Sequence, residues 1–283
     1  MKIKIHKYAK SLIFWCGEHR GHLLIFLSSA VLLFILPEGI SRFQAYVQKE
    51  SAGAPDDDIP RIMNTSHPVL RVPNWGAMRT AKDWNRTYSE LSESDFVAVP
   101  PYDFALLAKP MKELTQNFSE ENIRAITAKL YYSTRFFGAY DLDAVEFTGA
   151  HPGIDLKLAH GTPVLSIADG KAHSVSRNPI DGLYIAIEHK SANGERFMSV
   201  YKHLDRIIIK EGDRISAGQV IGNSGMSGNA SAPHLHLQVD LLPMHEVTNG
   251  HYAPYLPESV PTKEEISKKT VNPIIFIRRF AGG

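Results

Sequence analysis

The chain has 283 residues, of which 43% are hydrophobic and 22% are charged, with 20 glycines and 17 prolines. This composition is typical of a folded chain and excludes a disordered, collagen-like or coiled-coil protein. The 31 basic and 30 acidic residues give a net charge of +1, and because residues 1–22 carry +4, the rest of the chain carries −3. A slightly acidic body does not fit a nucleic-acid binder, which needs a concentrated basic face. Cys16 is the only cysteine, which excludes an intrachain disulfide and a thiolate metal cluster.

The first forty residues predict an export segment. Residues 23–36 read LLIFLSSAVLLFIL, and residues 1–22 hold five basic residues and one acidic residue. The apolar run is shorter than the roughly 20 residues of a spanning helix, and no small-residue cleavage pattern follows it directly. We predict a basic cytoplasmic tail, residues 1–22, and an uncleaved transmembrane signal anchor, residues 23–40. A cleaved signal peptide and a buried core helix are the alternatives.

The charge asymmetry around this segment predicts how the chain is oriented in the membrane. Because the basic excess precedes the apolar run, the positive-inside rule places the N-terminus in the cytoplasm. The expected location is therefore the cell membrane, with a single pass. The folded body is then expected on the periplasmic or cell-wall side.

Downstream of the anchor the sequence pattern predicts a mainly β fold. Residues 41–115 are rich in Pro, Asp, Asn and Ser without a sustained period, which predicts a linker or lead-in segment. Ser119 is a good N-cap for a helix of about fourteen residues, with two glutamates in its first turn. After Gly138, short apolar runs alternate with turn signals such as Asn193-Gly194. This pattern predicts an antiparallel sheet and not alternating strands and helices.

Thirteen histidines are many for a chain of this size, and the first group to consider is His151 with Asp155. Four steps along an extended strand would place these residues about 13 Å apart. The intervening Pro152-Gly153 pair permits a turn that brings the imidazole toward the carboxylate. Alone, this segment is equally well explained as a surface turn.

Two further segments add imidazoles in the predicted sheet. His234 and His236 are two residues apart on a predicted strand, so both point to one face. His203 ends another predicted strand. A hydrolytic zinc site takes three N or O ligands and keeps a position for water, and the histidines together with Asp155 can supply that set.

The three segments also carry a family resemblance. They read His151-Pro152-Gly153-Ile154-Asp155, Tyr201-Lys202-His203-Leu204, and IGNSGMSGNASAPHLH over residues 221–236. In this order they resemble the signatures of the lysostaphin/LytM-type zinc endopeptidases, metallopeptidase family 23. The resemblance covers about residues 135–242, and Asn272-Pro273 is similar to the segment that closes the family's domain.

The resemblance implies a fold and a chemistry. It implies an antiparallel β domain of the duplicated hybrid motif type over residues 116–283, with its core at about 135–242 and a closing segment at 272–280. One zinc ion would be bound by His151, Asp155 and His236, while His203 and His234 would act in catalysis without ligating the metal. The implied activity is hydrolysis of peptide bonds of bacterial peptidoglycan by a metal-activated water. The expected partners are the peptidoglycan peptide and, through the anchor, the membrane.

Some alternatives stay open at the level of sequence. Relatives of such a fold can lose ligands and become non-hydrolytic wall-binding or activator proteins of another cell-wall hydrolase, although here all five polar residues are present. Leu237-Gln238 stands where the family more often has Phe-Glu, which leaves the role of Gln238 open. The sequence does not determine which bond is cut, which histidine is the general base, whether residues 44–115 are inhibitory, or the oligomeric state.

Overall fold

The computed structural model describes residues 59–138, 151–243, 255–256 and 262–281. The predicted cytoplasmic tail and signal anchor, residues 1–40, lie outside the described residues, as does the first part of the predicted lead-in. Within the described ranges, no helix is both long enough and apolar enough to cross a membrane.

Strands dominate the described part of the chain. The helices are α1 (Ala81–Trp84), α2 (Phe104–Ala108), α3 (Met111–Leu114), α4 (Glu120–Tyr131), α5 (Lys263–Lys269) and α6 (Pro273–Phe280). The strands are β1 (Val72–Pro73), β2 (Phe96–Val97), β3 (Tyr132–Thr134), β4 (Gly153–Lys157), β5 (Pro163–Leu165), β6 (Gly170–Asn178), β7 (Gly182–Lys190), β8 (Arg196–Ile207), β9 (Arg214–Ile215), β10 (Val220–Ser224), β11 (His234–Leu242) and β12 (Thr270–Val271).

Ten of these strands form one antiparallel sheet, and β1 and β2 form a separate two-stranded antiparallel sheet. The main order of the 10-stranded sheet is β3-β4-β11-β8-β7-β6-β9, while β10 pairs with β5 and β8, and β12 pairs with β11. The mainly antiparallel β fold predicted from the sequence is confirmed. The Asn193-Gly194 turn lies between β7 and β8 as predicted, and Gly194 has a positive φ of 90°, a conformation that glycine adopts without steric cost.

The alternation of side chains along the central strands separates an apolar face from a polar one. On the apolar face, β4 contributes Ile154 and Leu156, and β11 contributes Leu235 and Leu237, all fully buried in the main hydrophobic cluster. The residues between them on each strand point to the opposite face, so the apolar face forms the core and leaves the other face for polar groups.

The helix predicted near Ser119 is present. The Ser119 hydroxyl accepts a hydrogen bond from the backbone N–H of Asn122 at 3.2 Å, and α4 begins at the next residue after the cap. This hydrogen bond satisfies one of the backbone donors that a helix leaves unpaired in its first turn.

The described part of the predicted linker or lead-in segment, residues 59–115, packs against the sheet. It belongs to the same compact unit as the sheet. Val72, Trp75 and Leu107 are buried in the cluster that contains the core residues of β4, and the N–H of Ile62 donates to the carbonyl of Lys190 at 2.8 Å. The buried apolar residues of this segment lie one at a time on turns and short helices. The sequence therefore shows no helical or strand period that would predict their burial.

Candidate metal centre

The three predicted ligands come together because β4 and β11 are neighbours in the sheet. His236 lies directly opposite Asp155 in the register of these antiparallel strands. Residues that are directly opposite in such a pair have side chains on the same face. His151 precedes β4, and its ring reaches the same point of that face.

The ligand atoms of these residues are mutually close. The Oδ1 atom of Asp155 lies 3.1 Å from Nε2 of His151 and 2.9 Å from Nδ1 of His236. The two ring nitrogens are 3.0 Å apart, and the three residues are buried. In a tetrahedral zinc site with bonds of 2.0–2.1 Å, ligand atoms are separated by about 3.3 Å. The spacing of these three atoms therefore suits a single small cation.

The hydrogen bonds behind the rings show which nitrogens face the centre as acceptors. Nδ1 of His151 lies 2.9 Å from the carbonyl of Arg135, and Nε2 of His236 lies 3.2 Å from Oε1 of Gln238. Because these oxygens only accept, each ring keeps a proton on that nitrogen, and in the neutral ring the other nitrogen would present a lone pair to a metal ion at the centre. Two lone pairs and a carboxylate then converge, which is the donor set of a zinc ion.

The carboxylate of Asp155 is held in its ionised form. Burial alone would raise the pKa of Asp155, but the His151 and His236 imidazoles that contact the carboxylate hold that pKa well below its ordinary value. An ionised carboxylate is the form that ligates a metal. The residue is therefore available as a ligand across the physiological pH range.

Gly153 is required where the two strands approach each other at the centre. A Cβ atom at this position would lie 2.9 Å from the ring atoms Cε1 and Nε2 of His236 and would overlap the backbone carbonyl of Leu237. Only glycine leaves space for the His236 ring at its observed place. The glycine of the Pro-Gly pair therefore serves close packing across the sheet.

His203 reaches the polar face through an irregularity in β8. Between the pairs Leu183–Leu204 and Ile185–Tyr201, β8 contains one residue more than β7. His203 has a positive φ of 61°, which is uncommon for a residue with a side chain. In a regular strand His203 would share the core face of Tyr201, and the bulge instead turns its ring toward the metal ligands.

The rings of His203 and His234 stand beside the three ligands. Their ring centroids are 4.7 Å apart, and the centroid of His203 is 6.3 Å from that of His236. Nε2 of His234 is 4.0 Å from Oδ1 of Asp155. The structure thus brings all five predicted site residues into one place.

Backbone carbonyls orient these two rings in the same way. Nδ1 of His203 donates to the carbonyl of Ser227 at 2.9 Å, and Nδ1 of His234 donates to the carbonyl of Ala232 at 2.8 Å. In the neutral form each ring therefore has Nε2 as its basic nitrogen. The glycine-rich stretch before β11 contributes both carbonyls, so its packing sets the orientation of the two imidazoles.

A polar network behind His236 was not assigned from the sequence. The Gln238 amide that accepts from His236 donates to the carboxylate of Asp240, with the shorter contact at 2.8 Å, and to the carbonyl of Leu256 at 2.8 Å. Burial raises the pKa of Asp240 to about 7, although the N–H of Leu256 and the Gln238 amide donate to it. The signal was the continued alternation of polar residues along β11 after His236.

A second buried pair of charges flanks the centre on β8. Lys202 lies opposite His236 in the register of β8 and β11, and its Nζ is 3.1 Å from Oδ1 of Asp181. The backbone carbonyl of Asp181 accepts the N–H of His203 at 2.9 Å. Asp181 therefore pairs with the Lys202 ammonium through its carboxylate and binds the backbone of the β8 bulge through its carbonyl.

Comparison with protein families identifies the segment that contains this centre. Residues 149–249 match the model described as Peptidase family M23. The matched segment includes the five histidine and aspartate residues of the centre.

Two curated relatives show the range of activities recorded for similar chains. Peptidoglycan DD-endopeptidase ShyA of Vibrio cholerae is 31% identical over 129 residues, which are 46% of this chain and 27% of the relative. Glycyl-glycine endopeptidase ALE-1 of Staphylococcus capitis is 40% identical over 91 residues, which are 32% of this chain and 24% of the relative. The chain thus spans less than a third of the length of either relative.

Solved structures give weaker overall matches. The catalytic domain of the antimicrobial peptidase lysostaphin from Staphylococcus simulans is 27% identical, with a TM-score of 0.36, covering 52% of this chain and 89% of that one. A zinc containing peptidase from Vibrio cholerae is 32% identical, with a TM-score of 0.34, covering 40% of this chain and 34% of that one.

Proposed function

We propose that this chain, whose residues 149–249 match the model of Peptidase family M23, is a zinc endopeptidase that hydrolyses peptide bonds of bacterial peptidoglycan. One observation carries the proposal. The ligand atoms of His151, Asp155 and His236 lie within 4.8 Å of one another, and the rings of His203 and His234 stand beside them. A structural zinc site is normally closed by four protein ligands, whereas here three ligands adjoin two basic imidazoles.

The positions of the side chains support the following roles. His151, Asp155 and His236 would hold the zinc ion, which when bound supplies Lewis acidity toward a carbonyl oxygen and lowers the pKa of water. The basic Nε2 atoms of His203 and His234 are placed for proton transfer. One of these rings accepts the proton of the attacking water and passes it to the leaving amine. The other, in its protonated form, donates to the oxyanion that develops on the substrate.

The proposed location follows from the substrate. Peptidoglycan lies outside the cytoplasmic membrane, so a hydrolase of this polymer must be exported. The apolar run at residues 23–36 and the basic residues before it support a single-pass anchor with a cytoplasmic N-terminus. We therefore place the catalytic domain on the periplasmic or cell-wall side of that membrane.

The test uses the full chain, purified in detergent with zinc. We expect one zinc ion per chain and the release of new amino groups from purified peptidoglycan. Asp155→Asn should lose the bound zinc and reduce cleavage at least about 10³-fold, and His203→Ala should retain zinc but reduce cleavage about 10²-fold or more. His173→Ala removes a histidine on β6, three strands away from β11 in the sheet, and should change neither property.

The outcomes separate the enzyme from the alternative class. Undiminished cleavage by His203→Ala, or a purified chain that takes up no zinc, would contradict the proposal. Stimulation of another wall hydrolase without zinc and without new amino groups from this chain alone would instead identify an activator protein. The two curated relatives are named for different peptide bonds. The masses of the released fragments would identify which peptide bond this chain cleaves.

A further inference from the structure

Lys157 belongs to the face of the sheet that carries the metal centre, but the centre does not use it. It is two residues after Asp155 on β4, and it lies directly opposite His234 on β11. The Cβ atoms of such opposite residues are about 4.5–5.5 Å apart. The side chain of Lys157 therefore starts beside one of the two catalytic imidazoles.

Two tryptophans fix the position of the Lys157 ammonium group. Nζ lies 3.6 Å from the ring centroid of Trp84 and 4.7 Å from that of Trp75. The two rings are stacked, with centroids 5.6 Å apart and an angle of 26° between their planes. Nε1 of Trp75 also donates to the backbone carbonyl of Lys157 at 3.3 Å. The two aromatic faces thus hold the half-buried Lys157 ammonium at a defined place beside the metal centre.

The chain provides no carboxylate for this cation among the residues that the structure describes. Lys202 on the same face has one, since its Nζ is 3.1 Å from Asp181. The tryptophan faces attract the charge of Lys157 but cannot accept its N–H donors in the way that an oxygen does. A half-buried ammonium that is paired with no acidic residue of the described ranges is suited to an anionic group that arrives with a ligand.

We propose that Lys157, held by Trp75 and Trp84, binds a free carboxylate of the peptide substrate on the His234 side of the metal centre. The proposal rests on the proposed function, since it assumes that the centre cleaves a peptide. Two residues of strand separate Lys157 from Asp155, a span of about 7 Å. This span matches one or two residues of an extended peptide, so the carboxylate belongs one or two residues from the scissile bond.

This placement restricts the substrate class. A cross-link whose residues near the scissile bond carry a free carboxylate, at a chain end or on a side chain, would satisfy Lys157. An internal bond within a glycine bridge offers no carboxylate there. The subsite therefore favours peptides that bear an acid next to the cleaved bond over plain glycine bridges.

The experiment compares two forms of the cross-linked peptide that the zinc-loaded full chain cleaves. In one form the carboxylate nearest the cleaved bond is free, and in the other it is a carboxamide. We expect kcat/KM to be at least about tenfold higher for the free acid, the effect of one charge-assisted hydrogen bond. Lys157→Met, which keeps an apolar stem against Trp84, should remove this preference. Lys157→Arg should retain it, and Lys210→Met at an exposed lysine should leave it unchanged.

A second measurement does not depend on turnover. The same two peptides are titrated against the chain in the presence of a chelator, with wild type and Lys157→Met compared by equilibrium binding. Tighter binding of the free acid by wild type alone supports the subsite. Equal behaviour of acid and amide with wild type, or an undiminished preference in Lys157→Met, overturns it. A wild-type chain that cleaves neither peptide but still prefers the acid in binding would refute the proposed function and keep the subsite.

Discussion

The two faces of strands β4 and β11 are stabilised in different ways, one by apolar packing and the other by specific hydrogen bonds. On the core face, Ile154, Leu156, Leu235 and Leu237 pack without any need for specific partners. On the site face, Asp155, His236, Gln238 and Asp240 are just as buried, but each is held by hydrogen bonds to named atoms. Apolar packing tolerates many combinations of similar volume, whereas a buried polar group costs stability unless its own partner is in place.

This difference separates what each face contributes to the protein. Substitutions on the core face should reduce the free energy of unfolding and leave the chemistry of the folded molecules unchanged. Substitutions on the site face should change metal affinity or catalysis by more than their effect on folding. Adjacent residues of one strand can therefore have unrelated phenotypes, because successive side chains point in opposite directions.

Leu235→Ala tests the core face between two histidines of the site. We expect a loss of about 2–5 kcal/mol in the free energy of unfolding, measured by denaturant titration, because the change leaves a cavity in the core. Leu241→Ala, on the same strand with a residue exposure of 36%, is the control and should cost less than about 1 kcal/mol. If the folded Leu235→Ala protein bound zinc much more weakly than wild type, the separation of the two faces would not hold.

His189 is a titratable ring enclosed by the protein, away from the metal centre. Burial lowers its pKa from 6.5 to about 4, although the Asp169 carbonyl that accepts from the ring opposes the shift. The unfolded chain therefore binds a proton near pH 6.5 that the folded chain binds only near pH 4. Above pH 6.5 His189 is neutral in both states and does not change the free energy of unfolding with pH. As the pH decreases, the preferential protonation of His189 in the unfolded state lowers the free energy of unfolding, by about 3 kcal/mol at pH 4.

The measurement compares wild type with His189→Gln between pH 7 and pH 4. Glutamine retains hydrogen-bonding groups but does not titrate in this range. A chelator is present in both series so that proton competition at the metal ligands does not contribute. The free energy of unfolding should fall more steeply in wild type, by up to about 1.4 kcal/mol per pH unit. Parallel profiles would show that His189 has the same pKa in both states.

Gln238→Met tests the polar support of the metal ligands. Methionine fills a similar volume but removes the acceptor that orients Nε2 of His236. We expect the dissociation constant for zinc to rise about 10–100-fold, as found when the groups behind a metal-bound histidine are removed. The measurement is a competition titration with a chromophoric chelator. Gln116→Met, at an exposed position, is the control, and equal affinities for all three proteins would refute the role of Gln238.

Part of the site could be predicted because its signals are local. The alternation of His234 and His236 on a strand, and the turn-permitting Pro-Gly pair after His151, are visible without a structure. The position of His203 was not predictable from strand alternation, which places it on the core face. Its bulge depends on how β7 and β8 pair around residue 203, and that pairing is a property of the folded sheet.

The lead-in shows the same limit more clearly. Its composition suggested a linker, yet Trp75 is buried in the core and both Trp75 and Trp84 contact Lys157. Nothing within residues 59–115 indicates where these rings pack, because short elements carry no period that identifies a buried face. Their role depends on a strand more than seventy residues away in the chain.

The sequence alone determined the antiparallel β class, and its resemblance to a known family implied the five residues at the centre. The β class follows from alternation over a few residues, where chain geometry fixes which side chains share a face, and the resemblance follows from three short motifs. Only the tertiary structure decided that Gln238 contacts His236, that a bulge turns His203 toward the ligands, and that Lys157 contacts two tryptophans beside the site. Those contacts join segments that are distant in sequence, and their energies depend on interatomic distances that only the packing of the folded chain sets.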